Sequence, residues 1–299
     1  MRGLILTLAL IGLVSPGLMA QDAATALPTE AIESCLVSQP NGCIDWEHGI
    51  IYATGMGVPN PDLKTAAQKS YSAHQAALVV AKRNLLGMVE EIQISSSQTV
   101  QMGMLESDVI KTEIHGSLKQ VSEVGKPKVM DDGSTWVTVK MHLRDIMNAL
   151  VKNEGFDFGD APVEKSTVTQ AKPLAPSETL KTGGEVGTIY TGLILDARGT
   201  GVKPAMSPKL YSANGEEIYG SFLITRQYAL EFGVAAYMKD LEKAQDSERV
   251  KGKPLLLKAS LQSNAKQADL KLSNEDAELL KELNKTQTFL REARVVILL

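Results

Sequence analysis

Between Pro61 and Gly87 the chain carries no further proline and no glycine, and its apolar residues return at steps of three and four. Leu63, Ala67, Tyr71, His74, Leu78, Ala81, Leu85, Met88 and Ile92 fall on one face, which predicts an amphipathic helix over 61–92. Lys64, Gln68, Lys69, Ser72, Gln75, Lys82, Arg83, Glu90 and Glu91 lie largely outside that stripe. Asn60 is placed to cap the helix and Pro61 to occupy its first position, where the missing N–H costs nothing. At about 1.5 Å per residue the helix would be about 45 Å long, enough to cross a small sheet. A strand broken by Gly55 and Gly57 runs into it over 49–58, so the rest of the chain must supply the sheet.

Upstream, Arg2 precedes an apolar run over 4–14 and then Ser15, Pro16 and Gly17, the pattern of a secretory signal peptide with cleavage near Ala20. Leu18 is larger than the usual residue at that position, so a cut a few residues later is the alternative. The run is too short to span a bilayer, which takes about 20 apolar residues. Removing 1–20 takes one of 31 basic and none of 35 acidic residues, so 30 − 35 gives a charge of −5. Such mild acidity argues against nucleic acid and anionic lipid as partners. The remaining 299 − 20 = 279 residues suffice for two ordinary domains. Cys35 and Cys43 are the two cysteines of a chain expected to meet an oxidising compartment, and they predict a disulfide pinning an arm over 21–48. A redox pair is the weaker reading, because the spacing is not Cys-X-X-Cys and no basic neighbour would lower a thiol pKa.

After the helix, Ile94, Val100, Met102 and Met104 alternate with polar residues and predict a strand, and a further strand is expected over 114–124. Asp131-Asp132-Gly133-Ser134 turns the chain into a strand whose Val137, Val139, Met141 and Leu143 share a face. One helix across a meander of antiparallel strands is an α+β domain, placed over 49–152.

Tyr52-Ala53-Thr54-Gly55-Met56-Gly57-Val58, Ala81-Lys82-Arg83-Asn84-Leu85-Leu86 and Asp132-Gly133-Ser134-Thr135-Trp136-Val137-Thr138-Val139 resemble the Lpp-twenty lipoprotein family. That family's domain is similar to the N-terminal domain of the flagellar assembly protein FlgT and to the flagellar lipoprotein FlgP. The resemblance covers about 49–143. It implies an envelope protein without catalytic residues, built in some relatives into rings around the flagellar motor. The chain departs from the family in having no lipobox cysteine.

Over 153–185 apolar residues thin out among Pro162, Pro173, Pro176 and several glycines, which predicts a linker. A second α+β domain follows over 186–299: a buried strand over 188–195, a hairpin across Asn214-Gly215, a helix over 226–246, and strands over 255–261 and 268–272. Ser273 with Asp276 caps a last helix, and 295–299 read as a core strand.

Gly55-Met56-Gly57-Val58-Pro59-Asn60 stands where a dinucleotide fingerprint would. Asn60 replaces its third glycine and Pro59 removes an N–H, so the glycines are read as letting strand and helix pack closely, and no cofactor is expected. The four histidines lack metal-ligand spacing, and His74 on the apolar stripe reads as a core histidine. Asp196 and Arg198 follow a buried strand and are expected to pair with each other; a ligand site is the alternative. Trp136, Thr138 and Lys140 lie on the strand face away from Val137 and Val139, where they would meet a partner.

These features predict a non-enzymatic periplasmic protein that binds other envelope proteins or itself, in a motor-associated or other surface assembly. The second reading is a small-ligand or glycan carrier using the second domain. Self-association or co-purification separates the first from the second.

Overall fold

The protein is described from a computed structural model, over residues 35–36, 39, 41–159, 182–262 and 267–299. The expected signal peptide, its cleavage site and most of the linker lie outside these residues. The architecture is α+β, with a long helix packed on an antiparallel sheet and a second half of mixed strands and helices.

The first half runs β1 (Gly42–Asp45), β2 (Ile50–Gly57), α1 (Ala66–Glu91), α2 (Val100–Glu106), α3 (Asp108–Lys119), β3 (Ser122–Glu123), β4 (Lys128–Val129), β5 (Thr135–His142) and α4 (Leu143–Lys152). Its sheet has the order β1-β2-β5-β3, with β4 also on β5, and every pairing is antiparallel. Thr135, Val137, Val139 and Met141 of β5 are buried, as the two-residue period predicts.

α1 starts later than expected, and its buried row shares Ala81 and Leu85 with the expected stripe but is turned toward Ala73, Ala77 and Val89. Its cap is Thr65, whose hydroxyl accepts from Gln68 N at 3.2 Å while the Gln68 side chain accepts from Thr65 N at 3.2 Å. Asn60 instead closes a turn, accepting from Asp62 N at 3.0 Å. The buried row is Ala73, Ala77, Ala81, Leu85 and Val89, and Tyr71 is 67% exposed. The small residues face the sheet because β2 presents Gly55 and Gly57 to the helix. A Cβ on Gly55 would lie 2.2 Å from Ala81 N, and one on Gly57 2.1 Å from Ala73 O. Close backbone approach, rather than side-chain size, selects the face.

Two expected strands are helices. Val100 and Met104 lie four apart and satisfy the helical period as well as the strand period; the hydroxyl of Thr99 caps α2 by accepting from Met102 N. Ser107 caps α3 in the same way, and Ile110, Ile114 and Leu118 form its buried row. Only β3 remains of the strand expected over 114–124. α4 was not anticipated; it buries Leu143, Ile146, Met147, Ala149, Leu150 and Val151.

The second half contains β6 (Leu193–Asp196), β7 (Leu210–Tyr211), β8 (Glu217–Tyr219), α5 (Arg226–Phe232), β9 (Ala236–Met238), α6 (Leu241–Asp246), β10 (Leu255–Lys258), β11 (Ser260–Leu261), β12 (Leu270–Lys271), α7 (Asn274–Thr286) and β13 (Val295–Leu298). The helix expected over 226–246 is broken at Gly233, whose φ of +71° ends α5 and releases β9. A parallel sheet of order β10-β6-β13-β9 is flanked by a smaller sheet of order β11-β12-β7-β8. β6, β10 and β13 are continuous apolar runs because a parallel strand is covered on both faces. All four residues of β13 are buried.

The halves are docked on each other. Met206 N and Ser207 N donate to Gln93 O and Ile94 O at 2.8 and 2.7 Å, and Gly159 N donates to Ile224 O at 2.9 Å. The Arg226 guanidinium donates to Val151 O and lies 5.6 Å from the Phe158 ring. One cluster of buried apolar side chains runs through both halves.

Cys35 and Cys43 are bonded, which brings Leu36 and Cys35 against Ile50 and Tyr52 on the sheet face opposite α1. Reduction is expected to lower stability by about 2.5 kcal/mol, the loop-closure value for so short a ring. Thermal melting with and without reductant measures it; identical curves would show that the ring constrains nothing the fold uses.

Candidate functional site

Among the described residues, the β2 and β5 face turned away from α1 is covered at one end only. Cys43, Ile50 and Tyr52 are buried under the disulfide segment and Val124. At the other end Met56 and Trp136 are direct cross-strand neighbours, 43% and 38% exposed, with Val58, Val129 and Met130 exposed in the adjoining segments. Thr138 and Lys140 are half-buried on the same face, in register with Thr54 and Tyr52. The face expected to carry Trp136, Thr138 and Lys140 is thus shared with the disulfide segment, which covers its Tyr52 end.

Asp196 and Arg198 meet each other. Arg198 donates from Nε to Asp196 Oδ1 at 2.8 Å and from Nη2 to Oδ2 at 2.7 Å, a bidentate pair. The Arg198 hydrogen bonds hold the Asp196 carboxyl below the usual carboxylate range. His74 is not a core residue: its Nε2 lies 2.9 Å from Glu123 Oε2 at a half-exposed position.

A cavity of about 330 Å³ lies between the halves. The first half contributes Trp46 and the start of α4, and the second contributes the α5–β9 connection and Arg249. Trp46 meets Tyr237 edge-on with ring centroids 5.4 Å apart. The Tyr237 hydroxyl donates to Ala205 O at 2.9 Å and accepts from Ala205 N at 3.0 Å; Tyr219 donates to Val234 O at 2.6 Å. Burial pushes both phenols well above the usual tyrosine range. Arg249 Nη1 donates to Ala293 O at 2.7 Å and more weakly to Val295 O at 3.4 Å. Desolvation pushes the guanidinium down to about 10, so it is charged at neutral pH, and its centre lies 5.9 Å from the Phe232 ring.

Nothing in the sequence marked Arg249. Its partners are main-chain carbonyls more than forty positions away, on the approach to and start of β13. A motif search has no access to such a contact.

Residues 192–299 match the family model described as the second domain of Treponema pallidum Tp0624. That finding overturns the resemblance to the Lpp-twenty family and the FlgT N-terminal domain: the family supported is a different one, and it falls on the other half of the chain. The matched stretch supplies Phe232, Tyr237 and Arg249 of the cavity, while Trp46 and α4 lie outside it. No curated protein matches the chain.

Proposed function

We propose that this is a non-enzymatic envelope protein, placed in the periplasm by its leader, that works by holding another envelope protein or a second copy of itself. The reading is carried by the Met56–Trp136 end of the sheet, where two large apolar side chains stand paired in register and exposed. Aromatic and Met side chains are the types that anchor protein interfaces. The Cys35–Cys43 bond is compatible with an exported chain, and among the described residues no helix is long and apolar enough to cross a membrane. The flagellar setting rested on the overturned resemblance and is set aside. A ligand or glycan site at Asp196 and Arg198 has less support, since each side chain already engages the other.

Replacing Trp136 by Ala should leave melting nearly unchanged and weaken association by about 1 to 3 kcal/mol. Asp196→Ala with Arg198→Ala should leave association intact. Light scattering and pull-down from solubilised envelopes, run beside circular dichroism, read both. Association that survives Trp136→Ala, or is lost only with the Asp196 and Arg198 changes, would overturn the reading.

A further inference from the structure

We propose that the cavity between the halves binds a small organic carboxylate with an apolar body, its anionic head meeting Arg249 and its body lying among Trp46, Phe232 and Tyr237.

The charge distribution selects an anion. Arg249 lines the cavity and, among the described residues, no carboxylate lies within ion-pair reach of it. Only Nη1 is engaged in the hydrogen bonds described, and both acceptors are neutral carbonyls. Arg249 is half-buried, and a partly desolvated cation is the more favourable for a carboxylate partner, because leaving its charge unpaired is costly. The other charged groups lining the cavity do not supply one. Glu47 is held by Lys243 at 3.6 Å, and His48 by Asp45 at 2.7 Å. Arg144 and Glu231 are both exposed and offset each other in charge, and His142 beside Arg144 is exposed as well. The interior is thus positive while the outer groups are close to balanced. The guanidinium fork suits a carboxylate, which accepts two parallel hydrogen bonds.

The walls select an apolar body. The Tyr237 hydroxyl is already bonded to both main-chain polar groups of Ala205, leaving its neighbourhood little unsatisfied polarity to offer. A volume of about 330 Å³ is that of a small-molecule site and too little for a folded partner.

The test is calorimetric titration of the full exported chain with benzoate, benzyl alcohol and inorganic phosphate at neutral pH. A Trp136→Phe background lets quenching of Trp46 report occupancy. Benzoate is expected to bind saturably, at least about 10-fold tighter than benzyl alcohol, since a hydrogen bond to a charged group is worth a factor of that order. Phosphate, lacking the apolar body, is expected to bind more weakly than benzoate. Arg249→Lys keeps the charge but loses the fork, and should weaken benzoate about 10-fold with the fold retained. Equal binding of benzoate and benzyl alcohol, no saturable benzoate binding, or an Arg249→Lys protein with unchanged affinity would each overturn the proposal. Phosphate binding as tightly as benzoate would also overturn it. Should Arg249→Lys fail to fold, the comparison of the two aromatic probes on the Trp136→Phe protein decides alone.

Discussion

Replacing Gly55 by Ala is expected to destabilise the protein by about 3 kcal/mol, near the upper end of ordinary overpacking penalties. The added Cβ would stand 2.2 Å from Ala81 N and 2.3 Å from Ala77 O. Both are main-chain atoms of α1, so no side chain can rotate away, and the helix must lift from the sheet. Gly57→Ala meets Ala73 O at 2.1 Å and Ala77 N at 2.4 Å and should cost as much. Gly87→Ala is the internal control: its Cβ meets nothing within 4 Å, and an Ala in a helix interior should stabilise by about 0.5 to 1 kcal/mol. Urea unfolding of the three variants gives the numbers. A neutral Gly55→Ala would mean that α1 does not approach β2 so closely. The consequence reaches the proposed contact face, because Gly55 precedes Met56, whose cross-strand partner is Trp136. Gly55→Ala should therefore weaken association as well as folding.

The same glycines show how far the sequence could be read. A strand broken by glycine and followed by a long helix is visible at once, and so is the reason the two should touch. Where the centre of the touching face lies is not visible, because a stripe chosen by hydrophobicity takes in Tyr71 and Leu78 beside Ala81 and Leu85, while contact with a glycine groove turns it toward Ala73 and Ala77. α2 and α3 were hidden for a related reason. Val100, Met102 and Met104 fit a two-residue period, yet Val100 and Met104 also fit a helical one, and the deciding feature is the capping hydroxyl of Thr99. The strands β6, β10 and β13 announced themselves as apolar runs. Their parallel pairing did not, since it is a property of the connections. The cavity was illegible altogether: its walls come from five separate stretches of chain, and Arg249 is fixed by carbonyls that carry no residue identity.

Tyr237 of the cavity wall and the buried Tyr219 predict a loss of stability in alkali. Burial raises the phenols of Tyr219 and Tyr237; for Tyr219 the nearby Arg249 charge offsets part of the rise and the Tyr237 phenol adds to it, while for Tyr237 the Ala205 hydrogen bond lowers the value and the Asp269 charge raises it. In the unfolded chain each titrates near its ordinary value of about 10. Below pH 10 both states hold the protons, so these groups contribute no pH dependence. Above it the unfolded chain releases them while the folded protein does not, so the unfolded state binds fewer protons and stability falls as pH rises. The phenols' contribution is about 1.4 kcal/mol per pH unit each, or about 5 kcal/mol for the two between pH 10 and 12, and Arg249, lowered to about 10 in the folded protein, contributes in the opposite sense over the same range and offsets about one phenol. Tyr237→Phe removes one of them. It also removes the hydroxyl that bonds both polar groups of Ala205, so at pH 7 the variant should be less stable by about 1 to 3 kcal/mol. Its alkaline slope should be shallower by about 1.4 kcal/mol per unit, so the two stability curves should converge by about 2 kcal/mol by pH 12. Lysines and the more exposed tyrosines titrate alike in both proteins and cancel in the difference. Urea midpoints measured from pH 7 to 12 test this directly; parallel curves would mean that Tyr237 ionises in place, that water already reaches the phenol, and that the wall beside Trp46 is not the dry surface on which an apolar ligand body would depend.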